Sequence, residues 1–239
     1  MHSQREDAHF FATNRLLASL PPPDYARLRA ELEPVRLAKG FVLYDMGDSV
    51  RYAYFLTGGM ASLLAAAGAH EVVQVAMVGN EGVVGIPAFL RVNVMPYRVT
   101  VQLPTTALRI RASVLSAEVG TCGALTDALL RYLHMLVTQI TQSAVCNRYH
   151  TIEERLCRWL LLSRDRARAD VLPLTQETLA HMLGVQRTGV TAAAGSLQRA
   201  GLISYRRGKI HVLDARGLRA AACECYRVVS EEIAQFVAA

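Results

Sequence analysis

The sequence predicts an α+β protein with an N-terminal antiparallel β-roll (jelly-roll), a long central helix and a C-terminal winged helix-turn-helix. Three observations lead to this fold class. Short strand-like runs separated by Gly, Pro, Asn or Asp fill residues 34–110. Helical periodicity replaces them over residues 113–167, and two helix patterns followed by a hairpin pattern occupy residues 175–213. Many short strands with frequent turns favour an antiparallel sandwich or roll over alternating βαβ units.

The strand-like runs define the first predicted domain, an N-terminal arm and β-roll over residues 1–112. They are rich in β-branched and aromatic residues, and glycines mark the corners between them. The runs read VRLA, GFVLYD, YAYFLTGGMASLLA, EVVQVAMV, YRVTVQL and TALRIR. Each run is bounded by Gly, Pro, Asn or Asp, as expected of short strands separated by turns.

The central helix is predicted over residues 113–147 as a dimerisation helix. Its apolar residues step by three or four positions, which is the spacing of a coiled-coil seam. The predicted dimer interface consists of Leu129, Leu133, Leu136, Val137, Ile140 and Ala144. A helix packed only on its own domain gives the same pattern, so this alternative stays open. A following helix at residues 152–163 carries Trp159, for which a core position is predicted.

The third predicted domain, residues 148–239, contains the pattern of a DNA-reading helix pair and ends in a C-terminal helix. Gly184 lies in the turn between the two helices, where a positive φ suits glycine, and apolar residues fall at the positions where the helices cross. The outer face of the second helix presents side chains that suit base edges in a major groove, namely Gln186, Arg187, Thr188 and Thr191. A surface helical hairpin without DNA binding is the plain alternative.

Residues on either side of this helix pair are predicted to bind DNA phosphates. Thr175 is predicted to cap the first helix and leave its first amides, beginning at Gln176, free for a phosphate. Residues 201–213 alternate apolar and polar positions around a glycine turn, which predicts a β-hairpin wing. The tip of this hairpin carries Arg206, Arg207 and Lys209.

The charge distribution agrees with a polyanionic partner. The chain has a formal charge of +6, and residues 151–210 alone hold ten Arg or Lys against five Asp or Glu. A basic balance concentrated in one module is the expected footprint of a nucleic-acid partner. No run of 18 apolar residues and no signal peptide is present, so the sequence predicts a cytoplasmic protein without a membrane partner.

Enzyme chemistry and metal binding are not predicted. The five cysteines form no C-x-x-C pair, which argues against a disulfide framework or an ordinary zinc site. For Cys223 and Cys225, the sequence leaves two roles open: packing residues or sensors of oxidants. A cupin-like metalloenzyme needs clustered His and Glu ligands, but only His70 and Glu71 lie in the roll. No Ser-His-Asp set or P-loop is apparent, and no cofactor is predicted.

Four segments, KGFVLYDMGD (39–48), YFLTGGMASLL (54–64), NEGVVGI (80–86) and the helix pair with its wing, together resemble the Crp/Fnr family of bacterial transcription regulators. The resemblance covers residues 16–218. It implies a homodimer that binds double-stranded DNA, with RNA polymerase and a small-molecule effector as further partners. A dimeric scaffold that has lost DNA binding is the alternative, and its interactions would lack the steep salt dependence of phosphate contacts.

Two departures from the family pattern bear on function. Members that bind cyclic AMP have Gly-Glu-x-x-Gly, whereas this chain has Val83 between Gly82 and Gly85, and a hydrocarbon accepts no hydrogen bond from a ribose hydroxyl. The family's Arg-Ser or Arg-Thr pair falls on residues 95–96 or 97–98, depending on the gap; neither pair is Arg followed by Ser or Thr, and Arg98 is left as a cation that can meet an anion. We therefore expect an effector other than cyclic AMP, with a divergent cyclic-nucleotide pocket as the alternative.

The second departure lies in the reading helix. Where the family has Arg, Glu and a later Arg, this chain has Arg187, Thr188 and Ala192. Only the first is kept, so a different operator is expected. The N-terminus also lacks the cysteine cluster of the family's iron-sulfur oxygen sensors.

Overall fold

The computed structural model describes residues 14–67, 71–120 and 123–238. His70, named above, lies outside this part of the chain. Within it, an antiparallel strand region is followed by a long helix and a C-terminal helix-turn-helix, so the predicted fold class is confirmed.

The N-terminal region begins with two short helices and contains most of the strands. The helices are α1 (Arg15–Ala18) and α2 (Pro22–Arg29). The strands are β1 (Glu33–Leu37), β2 (Val42–Tyr44), β3 (Tyr52–Leu56), β4 (Met60–Ala67), β5 (Glu71–Val78), β6 (Val83–Val84), β7 (Arg98–Leu103) and β8 (Thr105–Arg111). A 3₁₀ turn at Ile86–Ala88 follows β6.

Helices dominate the rest of the chain. They are α3 (Ala112–Val119), α4 (Gly123–Tyr149), α5 (Ile152–Ala167), α6 (Gln176–Leu183), α7 (Arg187–Arg199), α8 (Ala215–Ala221) and α9 (Cys225–Ala238). Three short strands accompany them: β9 (Val171–Leu172), β10 (Ile203–Arg206) and β11 (Lys209–Val212). No helix in the described ranges combines the length and apolarity needed to cross a bilayer.

The strands of the β-roll form two four-stranded sheets. Their orders are β1-β8-β3-β6 and β2-β7-β4-β5. Side chains that alternate along the strands, such as Phe55 on β3 and Leu108 on β8, are fully buried. The sequence missed β6, because two valines between glycines are too short a run to predict a strand.

Two compact units are present. The first comprises residues 1–63, 77–136 and 233–239, and the second comprises residues 64–76 and 137–232. The domain boundaries predicted at residues 112 and 147 stay a prediction.

The break between α4 and α5 is fixed by a local capping motif. The Thr151 hydroxyl accepts the amide hydrogen of Glu154, and the Glu154 carboxylate accepts hydrogen bonds from the Thr151 amide and hydroxyl. This reciprocal pairing satisfies donors that the first turn of a helix otherwise leaves free. It starts α5 one turn before the buried face of that helix.

Helix α5 supplies much of the core of the second unit. Leu156, Leu160 and Leu161 are fully buried. Trp159 is also buried, as predicted, and its indole Nε1–H donates to Oε1 of the buried Gln74 at 2.8 Å. A buried indole needs such an acceptor, so residues 64–76 complete the polar contacts of this core.

Candidate nucleic-acid interface

The turn between α6 and α7 has the geometry that the sequence predicts. Thr175 caps α6 by accepting the amide hydrogen of Thr178 at 3.1 Å. Gly184 ends the helix with φ at +60°, and a Cβ atom there would lie 3.0 Å from a methyl group of Val73. Both the backbone conformation and this close approach favour glycine.

Apolar side chains hold the two helices together. Leu179 and Leu183 on α6 and Val190 and Leu197 on α7 are buried. Their spacing places them on the facing sides of the helices, so the opposite side of α7 is left for solvent.

The reading face, defined as Gln186, Arg187, Thr188 and Thr191, is exposed. Within the described part of the chain, the Arg187 guanidinium has no hydrogen-bond or ion-pair partner. Thr191 is more constrained, because its hydroxyl lies 3.0 Å from Oε1 of Gln176 and 2.9 Å from the carbonyl oxygen of Arg187. Arg187 therefore extends as an open donor, while Thr191 links α7 to α6.

Two backbone amides at the start of α6 are already hydrogen-bonded within the protein, contrary to the expectation from the sequence. They were expected to be free for a phosphate, but the Thr178 amide donates to Thr175 and the Gln176 amide donates to the hydroxyl of Tyr205 at 3.1 Å. The amide of Tyr205 in turn donates to Oε1 of Gln198 at 2.9 Å. Tyr205 was missed as a site residue because an aromatic residue in a hairpin usually indicates packing.

The wing is the hairpin of β10 and β11, in which Arg206 pairs with Lys209. The intervening residues Arg207 and Gly208 have φ values of 48° and 72°, and two positive φ values at the tip are those of a type I′ turn. Arg206, Arg207 and Lys209 are exposed.

Two features of the wing tip are destabilising: the positive φ of Arg207 and the like charges of Arg206 and Lys209 on opposite strands. A left-handed arginine is strained, and like charges opposite each other repel. Among the described residues, none of these three cations has a side-chain partner. Local rules are most often broken at functional sites, and an anion placed at this tip would offset the repulsion.

Comparison with known proteins identifies this module. Residues 154–221 match the profile of the Crp-like helix-turn-helix domain. The second unit therefore contains a Crp-like domain. No curated protein sequence matches the chain.

Solved structures with the same fold include FixK2 from Bradyrhizobium japonicum, at 15% identity, a TM-score of 0.69, and coverage of 80% of this chain and 98% of that chain. The global regulator CLP of Xanthomonas campestris, described as responsive to c-di-GMP, matches at 16% identity and a TM-score of 0.68, covering 81% of this chain and 100% of that chain. A CRP/FNR-family transcriptional regulator of Thermus thermophilus matches at 22% identity and a TM-score of 0.65, with coverage of 80% and 98%. The chain thus has the fold of Crp/Fnr regulators.

The segment aligned with the family's effector pocket is closely packed in the first unit. Val83 is fully buried, and its carbonyl oxygen accepts a hydrogen bond from the Tyr132 hydroxyl on α4 at 2.9 Å. A Cβ atom at Gly82 would collide with the ring of Tyr132. Gly85 has φ at +100° and packs against the backbone of β3. Glycines at these positions therefore serve close packing.

Arg98, the remaining predicted pocket residue, is exposed at the start of β7. Its guanidinium Nε lies 3.2 Å from a carboxylate oxygen of Asp45, and both side chains are about half exposed. Arg98 and the 82–85 segment belong to different sheets of the roll. The effector pocket predicted from Gly82, Val83, Gly85 and Arg98 stays a prediction.

The predicted dimer face of α4 needs revision. Leu129 and Leu136 are buried within the first unit, at 1% and 2% exposure, so their side chains are not available on the surface. Val137, which is part of the predicted face, is 52% exposed, and Leu130, which is not, is 55% exposed. Ala144 is exposed, and Leu133 and Ile140 are partly exposed.

A cysteine cluster that the sequence did not predict lies in the second unit. Cys146 and His150, at the C-terminal end of α4, meet Cys223 and Cys225, which flank the start of α9. The expectation of no metal site rested on the absence of C-x-x-C. The sequence does contain two signals: a Cys-x-x-x-His pair on one helix face and a C-x-C pair. Because His150 and Cys223 are 73 positions apart, nothing in the sequence indicated that the two pairs meet.

Proposed function

We propose that the chain is a sequence-specific, DNA-binding transcription regulator that acts as a homodimer in the cytoplasm. The observation that supports it best is the exposed reading face beside a wing whose cations lack partners. Arg187 has the geometry for paired hydrogen bonds to guanine O6 and N7. Arg206, Arg207 and Lys209 supply charge for the phosphates.

The proposed dimer forms through α4. Leu130, Val137 and Ala144 repeat every seven residues, and Leu133 and Ile140 follow the first two by three residues. These are the a and d positions of a two-stranded coiled coil, and a parallel pairing would make the face self-complementary. A regulator with one reading helix per chain needs a second copy to bind two half-sites.

The β-roll is proposed to act as a sensor that does not use cyclic AMP. Tyr132 and the packed 82–85 segment support this, because a ribose and phosphate would have to displace a buried hydrogen bond and ring. We expect calorimetry to detect no specific binding of cyclic AMP. The similar regulator CLP responds to c-di-GMP, so this dinucleotide belongs in the same titration. Tight, stoichiometric binding of cyclic AMP would favour a divergent cyclic-nucleotide pocket.

DNA binding itself is tested by salt titration of a fluorescent duplex. The observed binding constant should fall steeply and linearly on a logarithmic plot, since each phosphate contact releases about 0.9 counterion. Combining Arg206→Ala, Arg207→Asn and Lys209→Ala should lower the slope by about 5.4, because the proposed dimer carries two copies of each cation. The matched control is Arg36→Ala, on strand β1 of the first unit, which should leave the slope unchanged. No binding, or binding insensitive to salt, would favour the dimeric scaffold. RNA polymerase is the further partner to be tested once an operator is known.

A further inference from the structure

The thiolate cluster, defined as Cys146, His150, Cys223 and Cys225, is a compact arrangement of soft ligands. Its four ligand atoms all lie within 4.8 Å of one another. The sulfur atoms of Cys146 and Cys223 are 3.6 Å apart, and Sγ of Cys225 is 3.4 Å from Nδ1 of His150. The three cysteines are buried, and His150 is partly buried.

These separations match those of ligands around one tetrahedral ion. With zinc bond lengths of about 2.3 Å to sulfur and about 2.0–2.1 Å to nitrogen, two thiolates are about 3.8 Å apart, and a thiolate and an imidazole nitrogen are about 3.5 Å apart. Thiolates that hold an iron-sulfur cluster bind different iron atoms and are spread more widely. The cluster therefore has the size of a single-ion site.

The surroundings of the cluster hold its ligands in place. While Nδ1 of His150 faces the sulfur of Cys225, its other ring nitrogen, Nε2, lies 3.3 Å from the carboxylate of Glu224. A carboxylate on the far nitrogen is the usual way in which a metal-binding imidazole is oriented. The side-chain amide of Gln142 also donates to the sulfur of Cys225 at 3.1 Å.

Positive charge near the cluster suits a thiolate-rich site. Three thiolates and one neutral imidazole around a divalent ion carry a net charge of −1. Arg155 is buried and Arg158 is partly buried, and the Nε–H groups of both lack a hydrogen-bond partner in the described structure. These two side chains supply positive charge that would offset the negative charge of the occupied site.

We propose that Cys146, His150, Cys223 and Cys225 form a closed tetrahedral binding site for one Zn²⁺ ion. Four protein ligands leave no open position, so the site is structural and not catalytic. The donor set, three thiolates and an imidazole, suits zinc better than hard cations such as Mg²⁺.

Zinc at this position would join the two ends of the Crp-like domain. The ligands come from the end of α4 and from the segment that precedes and begins α9, and the matched domain at residues 154–221 lies between them. Binding would release the thiol protons and close this long loop of chain, which stabilises the folded state. The proposal does not depend on DNA binding.

The test uses the full chain, purified under reducing conditions and reconstituted with Zn²⁺ or Co²⁺. We expect one zinc per chain by elemental mass spectrometry. Co²⁺ should give the intense visible absorption and sulfur charge-transfer bands of a tetrahedral thiolate site. The double variant Cys146→Ser with Cys223→Ser should lose both, and His150→Ala should weaken zinc binding while keeping three thiolates. Cys157→Ala is the matched control, because Cys157 is a buried cysteine outside the cluster.

Several results would overturn the proposal. These are substoichiometric zinc in the reduced protein, octahedral Co²⁺ spectra, or equal loss of metal in Cys157→Ala. A Cys146–Cys223 disulfide that forms equally fast with and without Zn²⁺ would also contradict it, because bound zinc should protect both thiolates. Since the double variant risks misfolding, its circular dichroism is compared with that of His150→Ala, and chelation of zinc from the wild-type protein should lower the melting temperature.

Discussion

The hydroxyl of Tyr205 in the wing accepts a hydrogen bond from the backbone amide of Gln176 at the start of α6, at 3.1 Å. The contact links the hairpin to α6, the first helix of the helix-turn-helix. It also occupies an amide that a DNA phosphate would otherwise have been expected to bind.

Tyr205→Phe should lower the free energy of unfolding by about 1 kcal/mol, because it leaves the Gln176 amide without its acceptor. Urea unfolding measures this change. Tyr149→Phe is the control, since the Tyr149 side chain is 74% exposed, and it should have no measurable effect. Equal stability of Tyr205→Phe and the wild type would indicate that water replaces the hydroxyl and that the wing is not held by this contact.

Arg207, at the wing tip, should lower the stability of the folded protein while contributing to DNA binding. Arg207 has φ at 48°, a conformation that asparagine tolerates better. Arg207→Asn should therefore raise the free energy of unfolding by up to about 1 kcal/mol. The logarithmic salt slope of DNA binding should fall by about 1.8, because the proposed dimer carries two copies of Arg207. Arg206→Gln is the control, because Arg206 does not have a positive φ. This variant should lower the salt slope without raising the free energy of unfolding. An unchanged salt slope in Arg207→Asn would remove this residue from the phosphate contacts.

The exposed face of α4 gives a test of the proposed dimer. Leu130→Glu should convert the dimer to monomers in sedimentation velocity, because two carboxylates would face each other at an a position of the seam. Arg131→Glu, one residue further along the same exposed helix, should leave the dimer intact. A Leu130→Glu protein that remains dimeric at low micromolar concentration would show that α4 does not form the contact.

The cap of α5 should make stability depend on pH. Hydrogen bonds from the side chain and the backbone of Thr151 lower the pKa of Glu154. A carboxylate whose pKa is lower in the folded state stabilises the fold above its unfolded pKa of about 4.3, and this contribution is lost as the pH falls through the folded value. The stability difference between the wild type and Glu154→Gln should thus be present at neutral pH and shrink on acidification.

The control for this prediction is the same substitution in a Thr151→Ala background. There the pH dependence of the difference should be smaller, because the hydroxyl that lowers the pKa is absent. Identical pH profiles in both backgrounds would assign the effect to another group. Urea unfolding measured across the acidic range provides the comparison.

Within the helix-turn-helix, the sequence predicted best those features that depend only on neighbouring residues. Gly184 has the positive φ expected of the turn, and Thr175 caps α6, because both features depend on residues a few positions apart. The class of fold followed from strand lengths and helical periodicity for the same reason.

Features that depend on tertiary packing were harder to predict. Leu129 and Leu130 are adjacent and equally apolar, so periodicity could not tell which faces the chain's own core. Likewise, nothing near Val83 in the sequence indicates that Tyr132, 49 residues later, would pack on it. The thiolate cluster escaped prediction because its two halves meet only in the folded chain.

The central claim is that Arg187 reads a base from an exposed helix, twice in each dimer. Selection of bound sequences from a random duplex pool, carried out in parallel with wild type and Arg187→Ala, tests this most directly. The wild type should enrich two inverted half-sites about 34 Å apart, each with a guanine whose preference weakens by about 1–3 kcal/mol in Arg187→Ala. Enrichment of no sequence, or the same base preferences in both proteins, would contradict the account.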